Sequence, residues 1–270
     1  MWALKLLLVP ILLYVAIVAA VFFAQTSIIF PPKAVGGAGP LPPAAVRLEL
    51  ATRDGHRLHG VHIAGRSPGA RPVILGFSGN AWNAEDAAIF LADLYPDADV
   101  VAFHYRGYRP STGTPGAAAL LEDAPLIHDF VSRRFAGRPI VATGFSIGSG
   151  VAARLASRRP LTGLVLVTPF DSLAAVGRDH YPWLPVGPLL RHRMNPAEDM
   201  LSSRVPTAII VAGRDTLIPP RRAQALAKRV PNLVYERTIE EAGHNDIYQH
   251  PQFRTAMAEA LDRVARHPPA

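Results

Sequence analysis

The 270-residue chain contains no cysteine. That excludes disulfides, zinc-thiolate centres and thiol nucleophiles, and it leaves the compartment open. No charged residue occurs between Lys5 and Lys33, a gap that a solvent-exposed segment would not show. No internal repeat is visible, so a solenoid or propeller is excluded. No nucleic-acid-binding motif accompanies the formal charge of +7. The basic residues are scattered as singles and pairs such as Arg133-Arg134, Arg158-Arg159 and Arg221-Arg222. They read as a solvated basic surface near anionic headgroups rather than as a phosphate-binding stripe, and no nucleic-acid partner is expected.

What fills the uncharged gap is apolar. Leu6 to Ala24 is almost unbroken hydrophobicity, and at ~1.5 Å per residue it reaches about 28 Å, close to a bilayer's hydrocarbon thickness. A cleavable signal peptide competes with a transmembrane helix here, with Val18-Ala19-Ala20 as its small-residue site. Its apolar region is usually about 7 to 15 residues long, whereas Val21-Phe22-Phe23 continues the run. Length therefore favours an uncleaved, single-pass anchor over residues 1–30. Lys5 and Lys33 nearly balance, and the amino-terminal charge tips the start toward the cytoplasm, placing the domain on the non-cytoplasmic side. Pro31 to Pro43 holds five prolines and three glycines, which predicts a linker over 31–45 and not a regular element.

Residues 46–270 are enough for one core and one domain. Val46 to Leu50 and Leu58 to Ile63 alternate around the Asp54-Gly55 turn signal, an antiparallel hairpin at a sheet edge. His56, His59 and His62 recur every third residue there, but three steps along a strand change face, so the spacing argues against a shared metal. From Arg71 onward strands alternate with helices: Pro72–Phe77, Asp99–Phe103, the strand before Gly144, Leu161–Val167, Ala208–Ala212 and Leu233–Thr238. Helices are expected over Ala84–Leu94, within Thr114–Arg134, from Val151 to Ser157 and around Gln252–Ala265. The fold class is α/β, with a mostly parallel eight-stranded sheet and helices on both faces.

The chemistry is concentrated at strand ends. The stretch from Arg138 runs as a buried strand into Gly144-Phe145-Ser146-Ile147-Gly148 and then a helix, the strand-turn-helix context of a nucleophile elbow. The turn would strain Ser146, free its hydroxyl and aim the Ile147 N–H at a forming oxyanion. Asp215 follows the strand ending at Ala212 and is the candidate acid; Asp171, after the Val167 strand, is the reserve. His244, after Gly243 on a loop between the last strand and the last helix, is the candidate base, free to swing between serine and carboxylate. The order Ser146, Asp215, His244 differs from both protease orders. Such a triad needs neither a metal nor an organic cofactor.

The sequence is similar to the α/β-hydrolases, and among them to the membrane-anchored Bem46-like group. The residues that carry this are Phe23 to Pro31, Gly79-Asn80-Ala81-Trp82-Asn83, Tyr105-Arg106-Gly107-Tyr108 with Ser111-Thr112-Gly113, Gly144 to Gly148, Gly213-Arg214-Asp215 and Gly243-His244. The resemblance implies an α/β-hydrolase fold and a serine hydrolase of carboxylic esters or thioesters. It also implies that the Asn80 backbone N–H is the first oxyanion donor beside that of Ile147. The chain departs from the group at Ser78-Gly79, where His-Gly is usual, and the Tyr105–Tyr108 loop carries no catalytic role. The expected partners are a small acyl ester or thioester, lipid-like given the anchor, and the membrane. A peptidase or amidase on the same fold and a noncatalytic binding protein are the alternatives. Between Phe170 and Arg204 the crossover is longer than a helix needs; a short cap over about 170–204 that lines an acyl pocket and touches the membrane, or a helix and turn packed on the sheet, would each account for it.

Overall fold

The computed structural model describes residues 2–67, 69 and 71–267. Met1 and residues 268–270, the ends of the ranges expected for the anchor and the domain, lie outside the described residues, as do the side chains of residues 2–7, Lys5 among them.

A single eight-stranded sheet organises the domain, in the order β1 (Ala45–Ala51), β2 (Arg57–Ile63), β4 (Asp99–Phe103), β3 (Val73–Phe77), β5 (Ile140–Phe145), β6 (Gly163–Val167), β7 (Thr207–Ala212), β8 (Leu233–Ile239). The pairs β1/β2 and β2/β4 are antiparallel, and all the others are parallel. The central strands are buried along their whole length. That is why they read as continuous apolar runs and not as alternating ones: both faces are covered. On one face lie α3 (Ala117–Arg134), α4 (Ile147–Ala156), α7 (Pro196–Met200) and α8 (Pro220–Ala227); on the other lie α2 (Ala84–Leu94) and α9 (Pro251–Arg266). The elbow helix begins at Ile147, four residues before the sequence suggests, because Ser146 itself turns the chain.

The N-terminal helix α1 spans Trp2–Ile29, and its stretch Leu8–Ile29 is long and apolar enough to cross a membrane, with a mean hydropathy of 2.4. It continues past Ala24 because Gln25 and Thr26 find polar partners on the domain. The next residue after α1, Phe30, is fully buried in the core. The Pro/Gly-rich stretch that follows lies against α2. Asn83 caps that helix by accepting from the Glu85 N–H at 2.9 Å, while its amide donates to the Gly36 carbonyl at 3.0 Å. Gly39 N–H donates to Asp86 at 2.8 Å.

The three hairpin histidines each face a different carboxylate: His56 lies 3.9 Å from Asp54, His59 4.0 Å from Glu49 and His62 2.7 Å from Asp99. Asp99 also pairs with Arg138, whose guanidinium and the His62 ring hold its carboxyl below the usual range against the opposing effect of burial, the largest single influence on it.

Candidate active site

Strand β5 delivers Ser146 at φ 52°, ψ −119°, a left-handed conformation that a side chain rarely adopts. Three contacts hold it there. Its N–H donates to the Val167 carbonyl at 2.9 Å, and its carbonyl accepts from the Ser149 N–H at 2.9 Å and hydroxyl at 2.6 Å. The flanking glycines are required by space. A Cβ on Gly144 would overlap the Gly148 carbonyl, and one on Gly148 would overlap the carbonyl oxygens of Phe77 and Ser78. The elbow is thus pressed against the end of β3, and Gly79 lies beside Ser146 as a result.

The structure brings the three sequence candidates together from three strand ends. His244 Nε2 is 3.0 Å from Ser146 Oγ, and His244 Nδ1 is 2.7 Å from Asp215 Oδ2. All three side chains are buried. Asp215 is itself fixed, since its Oδ1 accepts from the N–H groups of Leu217 at 2.9 Å and Ile218 at 2.7 Å, leaving Oδ2 for the imidazole. The reserve acid is placed elsewhere: Asp171 pairs with Arg222 at 3.2 Å. In the loop carrying His244, Gly243 N–H donates to Asp246 Oδ1 at 2.6 Å and closes the turn.

Asn80 and Ile147 both border the cavity into which Ser146 opens. At Ser78, where the sequence departs from the group it resembles, the side chain is buried and the carbonyl accepts from the Tyr105 hydroxyl at 2.7 Å. Burial pushes the Tyr105 phenol well above its ordinary pKa, so it stays a donor. Sequence reasoning gave this loop a structural part only; Tyr105 serves the site by bracing the Ser78–Asn80 turn. The same loop holds Arg106, buried and bonded to both carboxylate oxygens of Asp123.

The cavity has a volume of about 350 Å³. Its floor is Asn80, Ser146, Ile147 and Phe170; its roof comes from α5 (Leu173–His180) and the stretch through α6 (Val186–Leu189), with Tyr181, Trp183 and Leu184. Residues 173–190 cover the cavity, whereas Met194 and Met200 are buried in the core beneath. One wall was not anticipated: Val21, Phe22, Gln25, Ile28 and Ile29 of α1. Their three- and four-residue spacing is a readable signal of a docked helix face, but inside a uniformly apolar run it is masked.

No protein-family model matches the chain. It is 33% identical over 251 residues to Rv2307c of Mycobacterium tuberculosis, covering 88% of each protein. Lysophosphatidylserine lipase ABHD12 of Danio rerio is 26% identical over 231 residues, which are 74% of this chain and 60% of that protein. Among solved structures, the Pyrococcus furiosus esterase Pf2001 superposes with a TM-score of 0.68 over 84% of this chain and 95% of its own, at 21% identity.

Proposed function

We propose that the chain, which is in one family with the mycobacterial protein Rv2307c and has the α/β-hydrolase fold, is a membrane-anchored serine hydrolase of carboxylic esters or thioesters, of the Bem46-like group. The observation that carries this reading is the unbroken series Ser146 Oγ, His244 Nε2, His244 Nδ1, Asp215 Oδ2, with spacings of 3.0 and 2.7 Å, at the floor of an apolar cavity. In that series Asp215 accepts the Nδ1 proton, which leaves Nε2 with a lone pair toward the serine.

Ser146 Oγ attacks the acyl carbon as its proton passes to His244 Nε2, and Asp215 stabilises the imidazolium. The backbone N–H groups of Ile147 and Asn80 hold the oxyanion; each such donor is worth about 100- to 1,000-fold in kcat in hydrolases of this kind. The leaving alcohol or thiol takes the proton from His244, and the bond from acyl carbon to leaving group breaks. Water, deprotonated by the same nitrogen, then attacks the acyl-enzyme and releases the acid. The name of the ABHD12 relative, a lysophosphatidylserine lipase, supports an acyl ester with lipid character. Residues 1–30 serve as the anchor, 31–45 as the connection, and 46–270 as the catalytic domain on the non-cytoplasmic side.

The test is labelling of the full chain with a fluorophosphonate probe, followed by hydrolysis of p-nitrophenyl esters of graded length against aminoacyl anilides. Labelling that disappears in Ser146→Ala, with ester turnover well above anilide turnover, is the expected result. Faster anilide turnover would make it an amidase, and absence of labelling in the wild type would remove the enzyme reading altogether.

A further inference from the structure

The N-terminal helix does more than hold the domain to a surface. Val18, Val21, Phe22, Gln25, Thr26 and Ile29 are its least exposed residues in this stretch, while Phe23 on the opposite side is 76% exposed. Successive steps of three and four put the former on one stripe. That stripe is bonded to the cap from several points. Gln25 donates to the Leu189 carbonyl at 3.2 Å and accepts from the Arg191 N–H at 2.8 Å. Thr26 Oγ1 is 2.8 Å from His192 Nε2, and the Arg191 guanidinium lies 5.0 Å from the Phe22 ring centroid. A helix that merely tethered the domain would have no reason to bury a glutamine between itself and the cap.

Length adds a second constraint. The cap follows α1 as far as Tyr14, whose hydroxyl donates to the Trp183 carbonyl at 3.0 Å and whose ring meets that of Trp183 edge-on at 6.4 Å. Beyond Tyr14 the uncharged run of the helix ends at Lys5, only about 12 Å further on at ~1.5 Å per residue, against a hydrocarbon core of about 30 Å. If α1 crosses the bilayer, the cap beside Tyr14 must enter the leaflet with it. The cap is built for that place. From Tyr181 to Leu190 it has no charge, Tyr181 and Trp183 are 46% and 51% exposed, and the exposed Arg191 and Arg193 follow at its base, where they can meet headgroup phosphates.

We propose that α1 forms a wall of the acyl pocket, and that the pocket receives a single acyl chain laterally from the leaflet in which the cap is immersed. The inference rests on Ser146 being the nucleophile. The observations that carry it are Phe22, Gln25 and Ile29 lining the same cavity as Ser146 and the shortness of the uncharged helix between Tyr14 and Lys5. A cavity of about 350 Å³ is at the small end of ligand pockets, which run from about 300 to 1,000 Å³, and suits one chain rather than two.

The test uses the full chain in phosphatidylcholine vesicles and a dodecyl fluorophosphonate with a diazirine at the chain end. The probe bonds to Ser146 Oγ with loss of fluoride; irradiation then marks whatever surrounds the chain. An adduct joining Ser146 to residues 18–29 is expected. Labelling at Ser146 with adducts only elsewhere overturns the wall while leaving the hydrolase reading intact. No labelling at Ser146 overturns both. Val21→Trp should lower the ratio of long-chain to acetyl ester turnover at least tenfold; an unchanged ratio also counts against the wall. Because the chain has no cysteine, Trp183→Cys provides a single spin-label site for the leaflet. Greater accessibility to oxygen than to a water-soluble nickel chelate is expected there, and the reverse order overturns lateral entry.

Discussion

The side-chain amide of Asn80 donates to the carbonyl of Ile29, the last residue of α1, at 3.1 Å. One residue thereby joins the loop proposed to hold the oxyanion to the end of the N-terminal helix. Its backbone N–H and its side chain can be separated by mutation. Asn80→Ala keeps the N–H and removes the tie, which is expected to cost about 0.5–1.5 kcal/mol of stability. Turnover of a short, soluble ester should fall by less than tenfold, with the larger loss on long-chain esters, whose pocket Ile29 lines. Thermal denaturation and a two-ester kinetic comparison check both parts.

Tyr105 braces the other end of that loop through the Ser78 carbonyl. Tyr105→Phe preserves the ring and leaves a buried carbonyl without its partner, a loss of about 1–3 kcal/mol. Because the carbonyl belongs to the residue two before Asn80, the oxyanion N–H should also lose its placement. The expected kinetic signature is a lower kcat with KM nearly unchanged, since the lost interaction is made mainly in the transition state.

The two acids separate cleanly. In Asp215→Asn the oxygen is still needed by the N–H groups of Leu217 and Ile218, so the NH2 turns toward His244 Nδ1. That nitrogen must then accept, Nε2 carries the proton, and the imidazole can no longer act as a base toward Ser146. A loss of about 10⁴ in kcat is expected, as in triads of this kind. Asp171→Asn breaks only the contact with Arg222 and should change kcat by less than about threefold on the same substrates, a contrast that steady-state kinetics resolves.

Much of this was legible in the chain. The central strands announce themselves because sheets covered on both faces demand apolar runs such as Val73–Phe77 and Thr207–Ala212. Ser146 and Asp215 were readable as candidates because each follows such a strand, and His244 because it follows the edge strand β8, all at the end where a parallel sheet gathers its sites. What stayed hidden depends on contacts between distant segments. Tyr105 bonds to Ser78, 27 residues away, and Gln25 of the α1 wall to Leu189, 164 residues away, so no local pattern announces either contact. In α1 the docked face is written in nearly the same apolar alphabet as the exposed one, so composition alone cannot tell them apart.

The elbow itself admits a stringent steric test. A Cβ on Gly148 would overlap the carbonyl oxygens of Phe77 and Ser78, and neither can retreat, since Phe77 ends β3 and the Ser78 carbonyl is bonded to Tyr105. Overpacking with a flexible neighbour costs about 1–3 kcal/mol; with backbone on both sides the cost of Gly148→Ala should exceed that. The variant is expected to melt well below the wild type and to lose fluorophosphonate labelling even at temperatures where it remains folded, because the shift must be taken up by Ser146 or by the oxyanion loop.

Acidification should loosen the seat of α1 through His192. Its Nδ1 lies 3.4 Å from the Ala117 N–H, which can only donate, and its Nε2 lies 2.8 Å from Thr26 Oγ1, so the neutral ring with hydrogen on Nε2 satisfies both. Burial lowers its pKa first, and the Arg191 cation lowers it further. In the unfolded chain a histidine titrates near ~6.5, so below that pH the unfolded state binds a proton that the folded state resists. Stability from this site is therefore complete above about pH 6.5 and is lost as the pH falls through the depressed folded value. His104, lowered mainly by burial, works in the same direction and must be subtracted. His192→Gln keeps a donor for Thr26 but does not titrate, and it leaves His104 in place. Between pH 8 and 5.5 the melting temperature of the wild type should fall further than that of His192→Gln; equal losses would show that the imidazole between α1 and α3 plays no part in the pH response.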